Sequence, residues 1–151
     1  MMEKHTEILI CEDNDGHATL IERNLRRAGI ENPIRRFCDG KEALDFFFDK
    51  KRKKRQDCYE SYILLLDLRM PKVDGVEVLK RIKKSPHLCK IPVIILTTTD
   101  NPLEVDRCYA LGCNDYVKKP TDSASFVEAI KLIGRFLLVN EMPNLKHEVV
   151  V

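Results

Sequence analysis

Three short segments carry almost no polar side chain: EILIC at residues 7–11, ILLL at 63–66 and VIIL at 93–96. A strand with one wet face alternates apolar and polar residues. A continuous run suits a strand covered on both faces, as in a parallel sheet held between two layers of helices. Weaker strand signals stand at residues 34–38 (IRRFC) and 115–118 (DYVK). Between the runs, apolar residues recur at helical spacing. The first stripe is Ala18, Leu20, Ile21, Leu25 and Ala28 before Gly29, and the second is Ala43, Leu44, Phe46, Phe47 and Phe48 after an Asp39-Gly40 turn. Val76, Leu79 and Ile82 follow Asp74, a residue placed to cap a helix. Leu103, Val105, Tyr109, Ala110 and Leu111 precede Gly112, and Phe126, Ala129, Ile130, Ile133, Phe136 and Leu137 make the last stripe. Five strands alternating with five helices predict an α/β fold: a doubly wound, five-stranded parallel sheet in a three-layer sandwich.

In such a sheet, ligands gather beyond the carboxyl ends of the strands. Polar residues fall at those ends here. The first strand runs into Glu12 and Asp13, the third stops on Asp67, the fourth on Thr97, and the fifth leads to Lys118, Lys119 and Pro120. If the first and third strands are neighbours, about 4.8 Å apart, three carboxylates share one small space. Like charges so close hold a proton or attract a cation. An all-oxygen acidic set suits a hard ion such as Mg²⁺, which keeps several waters and takes phosphate oxygens readily. A threonine hydroxyl and a lysine ammonium beside it suit a phosphoryl group.

Composition narrows the functional class. A chain of 151 residues buries about 70% of its unfolded surface, enough for one domain. We expect a single domain over residues 1–151, with a core at about 7–138, a tail at 139–151 that packs on a partner or lies loose, and no output domain. With 26 Lys+Arg against 24 Asp+Glu, the net charge of +2 gives no electrostatic footprint for nucleic acid. The basic run KKRKKR at residues 50–55 reads as an exposed loop. No apolar run approaches the ~18 residues of a membrane span, and MMEKHTE lacks the apolar stretch of a secretory signal, so the expected location is the cytoplasm, away from membranes. Cys11, Cys38, Cys58, Cys89, Cys108 and Cys113 form no C-x-x-C pair and read as reduced, structural thiols. His5, His17, His87 and His147 show no ligand or relay spacing.

The motifs CEDN, LLLDLRMPKVDG, PVIILTTTD and YVKKP, in that order, resemble the receiver domain of two-component response regulators over residues 7–138. The resemblance implies the flavodoxin-like strand order 2-1-3-4-5. It implies that Asp67 is the phosphoacceptor, charged by a sensor histidine kinase or phosphotransfer protein. It implies that Glu12, Asp13, Asp67 and the backbone carbonyl of Arg69 bind Mg²⁺. Lys119 would pair with Asp67 and then contact the phosphoryl group. Thr97 would move toward the phosphoryl oxygens and Tyr116 would change rotamer, carrying the signal to the face made by the fourth helix, fifth strand and fifth helix. The long loop before the third strand, the stretch from TTTD to KKP and the NEMPN ending look most like small stand-alone regulators that partner bacterial phytochromes, and a homodimer is expected. Glu12 stands where Asp is commoner in this family, and Thr121 where an aromatic is frequent. In the family that these motifs resemble, the positions of Arg69 and Thr99 tend to tune dephosphorylation, and they assign no lifetime here.

Two rivals belong to other classes. A hydrolase using Asp67 as nucleophile on a small substrate wants a second carboxylate two residues on, where this chain has Arg69. A dimeric interaction module with a receiver fold would work without phosphorylation, yet the acidic and basic site residues are all present. The expected protein is therefore not an enzyme with external turnover; it catalyses only its own phosphorylation and dephosphorylation.

Overall fold

In the computed structural model, residues 5–49 and 61–146 are described. The basic run at 50–55, Cys58, His147 and the end of the tail at 147–151 lie outside the described residues. Five strands run parallel in the order β2-β1-β3-β4-β5: β1 Thr6–Cys11, β2 Ile34–Phe37, β3 Ser61–Leu66, β4 Val93–Thr97 and β5 Asp115–Lys118. The helices are α1 Asp15–Arg27, α2 Gly40–Phe48, α3 Gly75–Lys84, α4 Pro102–Leu111 and α5 Ser123–Val139, with a short 3₁₀ turn at Leu88–Lys90. The doubly wound sheet and its strand order are those expected.

The uninterrupted apolar runs follow from burial on both faces. Because successive side chains point to opposite sides, Leu9, Cys11, Leu64, Leu66, Val93 and Ile95 join one core with α2 and α3. Ile8, Ile10, Ile63, Leu65, Ile94 and Leu96 join the other with α1 and α5. Each such aliphatic side chain contributes about 1.5–3 kcal/mol when fully buried, so the three central strands dominate the stability. Strand ends differ by a residue or two from the sequence pattern. Cys38 lies outside β2 and is exposed, while Thr97 is the last residue of β4.

Helix starts are fixed by polar caps. Asn14, Asp39, Asp74, Asn101 and Asp122 each accept from a backbone N–H two or three residues on, satisfying donors the helix itself leaves free. Asp74 is the cap predicted for it. Gly112 ends α4 at φ 107°, a left-handed conformation that costs a residue with a Cβ and not glycine. Not every apolar residue of the helical stripes turns inward: Leu103, Tyr109 and Phe136 are exposed. Beyond α5, Leu145 is buried in the first core and Met142 packs on the second, so residues 142–145 fold back on their own domain.

Candidate functional site

The parallel register of β1 and β3 pairs Cys11 with Leu66, so the next residue of each chain, Glu12 and Asp67, emerges side by side. The Asp67 amide donates to the Cys11 carbonyl at 3.0 Å, and that of Glu12 to Phe37 at 3.1 Å, holding both carboxylates to the sheet edge. Behind Asp67 the chain turns so tightly that Gly75 N–H donates to Leu68 O at 2.9 Å. A Cβ on Gly75 would run into the Asp67 carbonyl oxygen, which explains the glycine in VDG. On the other side, β4 and β5 pair Thr97 with Lys118, and Lys119 N–H donates to Thr97 O at 2.6 Å. Since β4 lies between β3 and β5, the Lys119 side chain passes the end of β4 to reach the carboxylates.

It does reach them. The Lys119 ammonium, 2% exposed, donates to Asp67 Oδ2 at 2.9 Å, to Glu12 Oε1, and to His17 Nδ1 at 3.2 Å. Three N–H groups thus meet three acceptors, which offsets the cost of burying the charge. Asp67 Oδ1 accepts from the Arg69 amide at 3.2 Å and Glu12 Oε2 from that of Asn14 at 3.2 Å. Burial pushes the Glu12 carboxyl up to about 7, against the pull of the Lys119 hydrogen bond. Burial, and then the Lys119 ammonium, hold His17 below its usual value, which agrees with a neutral ring accepting at Nδ1.

One carboxylate oxygen each from Glu12, Asp13 and Asp67 can be grouped within 4.8 Å of one another. Asp13 is exposed and the other two are buried, so the cluster opens to solvent on one side. This donor set fits a hard divalent cation: three carboxylates offering only oxygen, two of them in contact with the Lys119 ammonium. The Thr97 hydroxyl is fully buried and has no hydrogen-bond partner among the described residues. Tyr116 packs its ring partly into the first core and donates its hydroxyl to Thr99 O at 2.7 Å. The Arg69 guanidinium turns outward, to Glu104.

Lys119 therefore touches both Glu12 and Asp67, Asp13 shares their cluster, Thr97 sits on the neighbouring strand end, and Tyr116 lies on β5 three residues before Lys119. Two contacts escape a reading of the sequence. His17, in the first turn of α1, touches Lys119, and only the direction of α1 relative to the loop after β5 brings them together. Arg36 of β2 donates twice to the Glu12 carbonyl, at 3.0 and 2.9 Å, and once to Asp15 at 2.7 Å. It clamps the acidic loop, yet in sequence it is one of two arginines in a weak strand.

The response regulator receiver domain model matches residues 8–131. Among solved structures, the chain superposes on a response regulator receiver domain from Rhodospirillum rubrum with a TM-score of 0.85, 43% identity and coverage of 91% of this chain and 97% of that one. The phosphorylated cyanobacterial phytochrome response regulator RcpA gives 0.80, 31%, 88% and 94%. The Mn²⁺-bound form of response regulator Rcp1 gives 0.78, 32%, 91% and 98%. Fold, motifs and matched length agree, and this chain belongs to the response regulator receiver domain family.

Proposed function

We propose that this chain is a single-domain response regulator that accepts one phosphoryl group on Asp67 and signals through protein contacts. The observation that carries this reading is the buried Lys119–Asp67 contact at 2.9 Å inside a carboxylate cluster, with an unpartnered Thr97 hydroxyl at the adjoining strand end. A carboxylate oxygen of Asp67 attacks the phosphorus of a phosphohistidine on a sensor kinase or phosphotransfer protein. The new P–O bond forms as the P–N bond breaks, and the imidazole nitrogen leaves with the electron pair. Lys119, already bonded to Asp67, keeps its charge next to the incoming group. Thr97 donates its free hydroxyl to a phosphoryl oxygen. When bound, Mg²⁺ on the carboxylates of Glu12, Asp13 and Asp67 and on the Arg69 carbonyl supplies neutralising positive charge for the phosphoryl oxygens. Positioning and charge compensation of this kind do most of the work in phosphoryl transfer.

The same reading makes Thr97 and Tyr116 the switch pair. A new contact from Thr97 to the phosphoryl group shifts the β4 end, and Tyr116, tied to Thr99, responds by a change of rotamer toward the α4–β5–α5 face. The resemblance to the phytochrome response regulator RcpA supports a bacterial phytochrome as the kinase. Exposed Leu132, Phe136 and Val139, spaced four and three residues apart on α5, support a homodimer. Among the described residues no helix is long and apolar enough to cross a membrane, in keeping with a cytoplasmic partner of a kinase. Arg69, where a hydrolase would carry its second carboxylate, supports an acceptor without external turnover.

The test is incubation with Mg²⁺ and acetyl phosphate followed by intact mass. Wild type gains one phosphoryl group; Asp67→Asn gains none. A stable gain in the variant overturns the assignment of Asp67.

A further inference from the structure

A second polar cluster borders the carboxylates, and the acceptor chemistry leaves it unused. Its centre is Glu104, in the first turn of α4. A single oxygen, Oε2, accepts from Arg69 Nη2 at 3.1 Å and from Thr99 Oγ1 at 3.0 Å. Glu104 thereby ties the loop two residues past Asp67 to the loop two residues past Thr97. Arg69 and Glu104 also line one open cleft with Asp13, Pro71 and Asp74, so the ion pair stands at the edge of the carboxylate cluster.

The two ends of Arg69 are engaged differently. Its backbone N–H sits on Asp67 Oδ1 at 3.2 Å, while its long, two-thirds exposed side chain points to Glu104. The guanidinium therefore hangs from a residue fixed at the acceptor, and among the described residues a single monodentate contact directs it outward. A phosphoryl group on Asp67 brings nearly two negative charges and three acceptor oxygens. Guanidinium forks bind phosphate oxygens by two parallel charge-assisted bonds, a better arrangement than one bond to one carboxylate oxygen.

We propose that Glu104 is a positioning residue that acts as a latch: in the unphosphorylated chain it holds the Arg69 guanidinium away from the acceptor, and the phosphoryl group on Asp67 captures Arg69 from it. The inference rests on Asp67 being the acceptor. Arg69 then serves phosphorylation only to the extent that Glu104 releases it, so Glu104 slows phosphorylation through Arg69 and not through its charge alone.

A double-mutant cycle separates these two routes. Phosphorylation by acetyl phosphate with Mg²⁺ is timed by intact mass in wild type, Glu104→Gln, Arg69→Met and the double variant. Glu104→Gln keeps shape at a partly exposed position, and Arg69→Met keeps the backbone carbonyl. Glu104→Gln is expected to be phosphorylated about two- to fivefold faster than wild type, the factor a surface ion pair is worth. In the Arg69→Met background the same substitution is expected to leave the rate unchanged. An equal acceleration in both backgrounds means a general field effect and overturns the latch. Absence of any acceleration by Glu104→Gln in the chain that keeps Arg69 overturns it as well. If wild type and Glu104→Gln both take up no phosphoryl group, the assignment of Asp67 as acceptor fails and the latch falls with it, an outcome distinct from failure of the latch alone.

Discussion

Thr97 is the residue whose energetics most sharply separate a working group from a structural one. Its hydroxyl is buried with no partner among the described residues, and a buried polar group that makes no hydrogen bond costs about 1–3 kcal/mol. A threonine kept for stability would not be left in this state. Thr97→Val, nearly the same shape without the hydroxyl, is thus expected to leave the urea midpoint unchanged or raise it. The same variant is expected to lose the phosphorylation-dependent change at Tyr116, read from its ring resonances with and without beryllofluoride and Mg²⁺. A clear loss of stability with the Tyr116 response intact contradicts the role given to Thr97. At this scale the sequence was readable wherever the proposed chemistry sits on a strand end. Asp67, Glu12 and Thr97 each follow an apolar run and Lys119 follows the weaker DYVK strand, and parallel register brings such ends together. Residues that reach the site from elsewhere left no trace in the pattern. His17 meets Lys119 only because of how α1 leaves the loop, and Arg36 meets the Glu12 carbonyl from a strand whose alternation is weak.

Among the elements, β1, β3 and β4 were legible because each is buried on both faces, and a run of Ile, Leu and Val has few other uses in a chain of this size. α4 was harder: its stripe includes Leu103 and Tyr109, which face solvent, so periodicity named the helix but not the side that packs. Caps carry information about both position and pH. Asp39 starts α2 by accepting from Glu42 N–H at 2.9 Å and pairs with Lys72 at 3.2 Å. The Glu42 N–H, more than the nearby Lys72 ammonium, holds its carboxyl below the ordinary range. A depressed carboxylate contributes stability that is present above its unfolded pKa and lost as pH falls through its folded pKa. Asp39→Ala is therefore expected to cost about 1 kcal/mol at pH 7, as lost caps do. The gap between variant and wild type should narrow as urea unfolding is repeated at pH values falling through the carboxylate range. A gap that stays constant into acid would mean that the ionised cap contributes nothing beyond its shape.

For the molecule as a whole, the question is what the site changes at a distance. α5 is apolar over more of its circumference than one core requires: Phe126, Ile130, Ile133 and Leu137 are buried, while Leu132, Phe136 and Val139 are 61, 54 and 75% exposed. A helix that carries a second apolar stripe beside its core-facing one is normally covered there as well. One stripe of three residues is far smaller than the roughly 800 Å² per partner of a stable interface. Any partner must also cover neighbouring surface, and among the described residues Leu103 and Tyr109 of α4 are the other large apolar groups left exposed. Tyr116 lies on β5, and its hydroxyl is held by the loop that leads into α4. A dimer built on α4, β5 and α5 is thus mechanically next to the proposed switch, so phosphorylation and dimerisation are expected to be linked, each favouring the other by the same factor. Phe136→Glu places a charge in the middle of the stripe, remote from Asp67. It is expected to weaken the dimer about tenfold or more in sedimentation equilibrium while leaving the rate of phosphorylation by acetyl phosphate as in wild type. Dimerisation unaltered by Phe136→Glu would place the contact elsewhere. Dimerisation equally strong with and without beryllofluoride and Mg²⁺ would instead favour an assembly that is indifferent to the state of Asp67, and with it the rival reading of a constitutive interaction module.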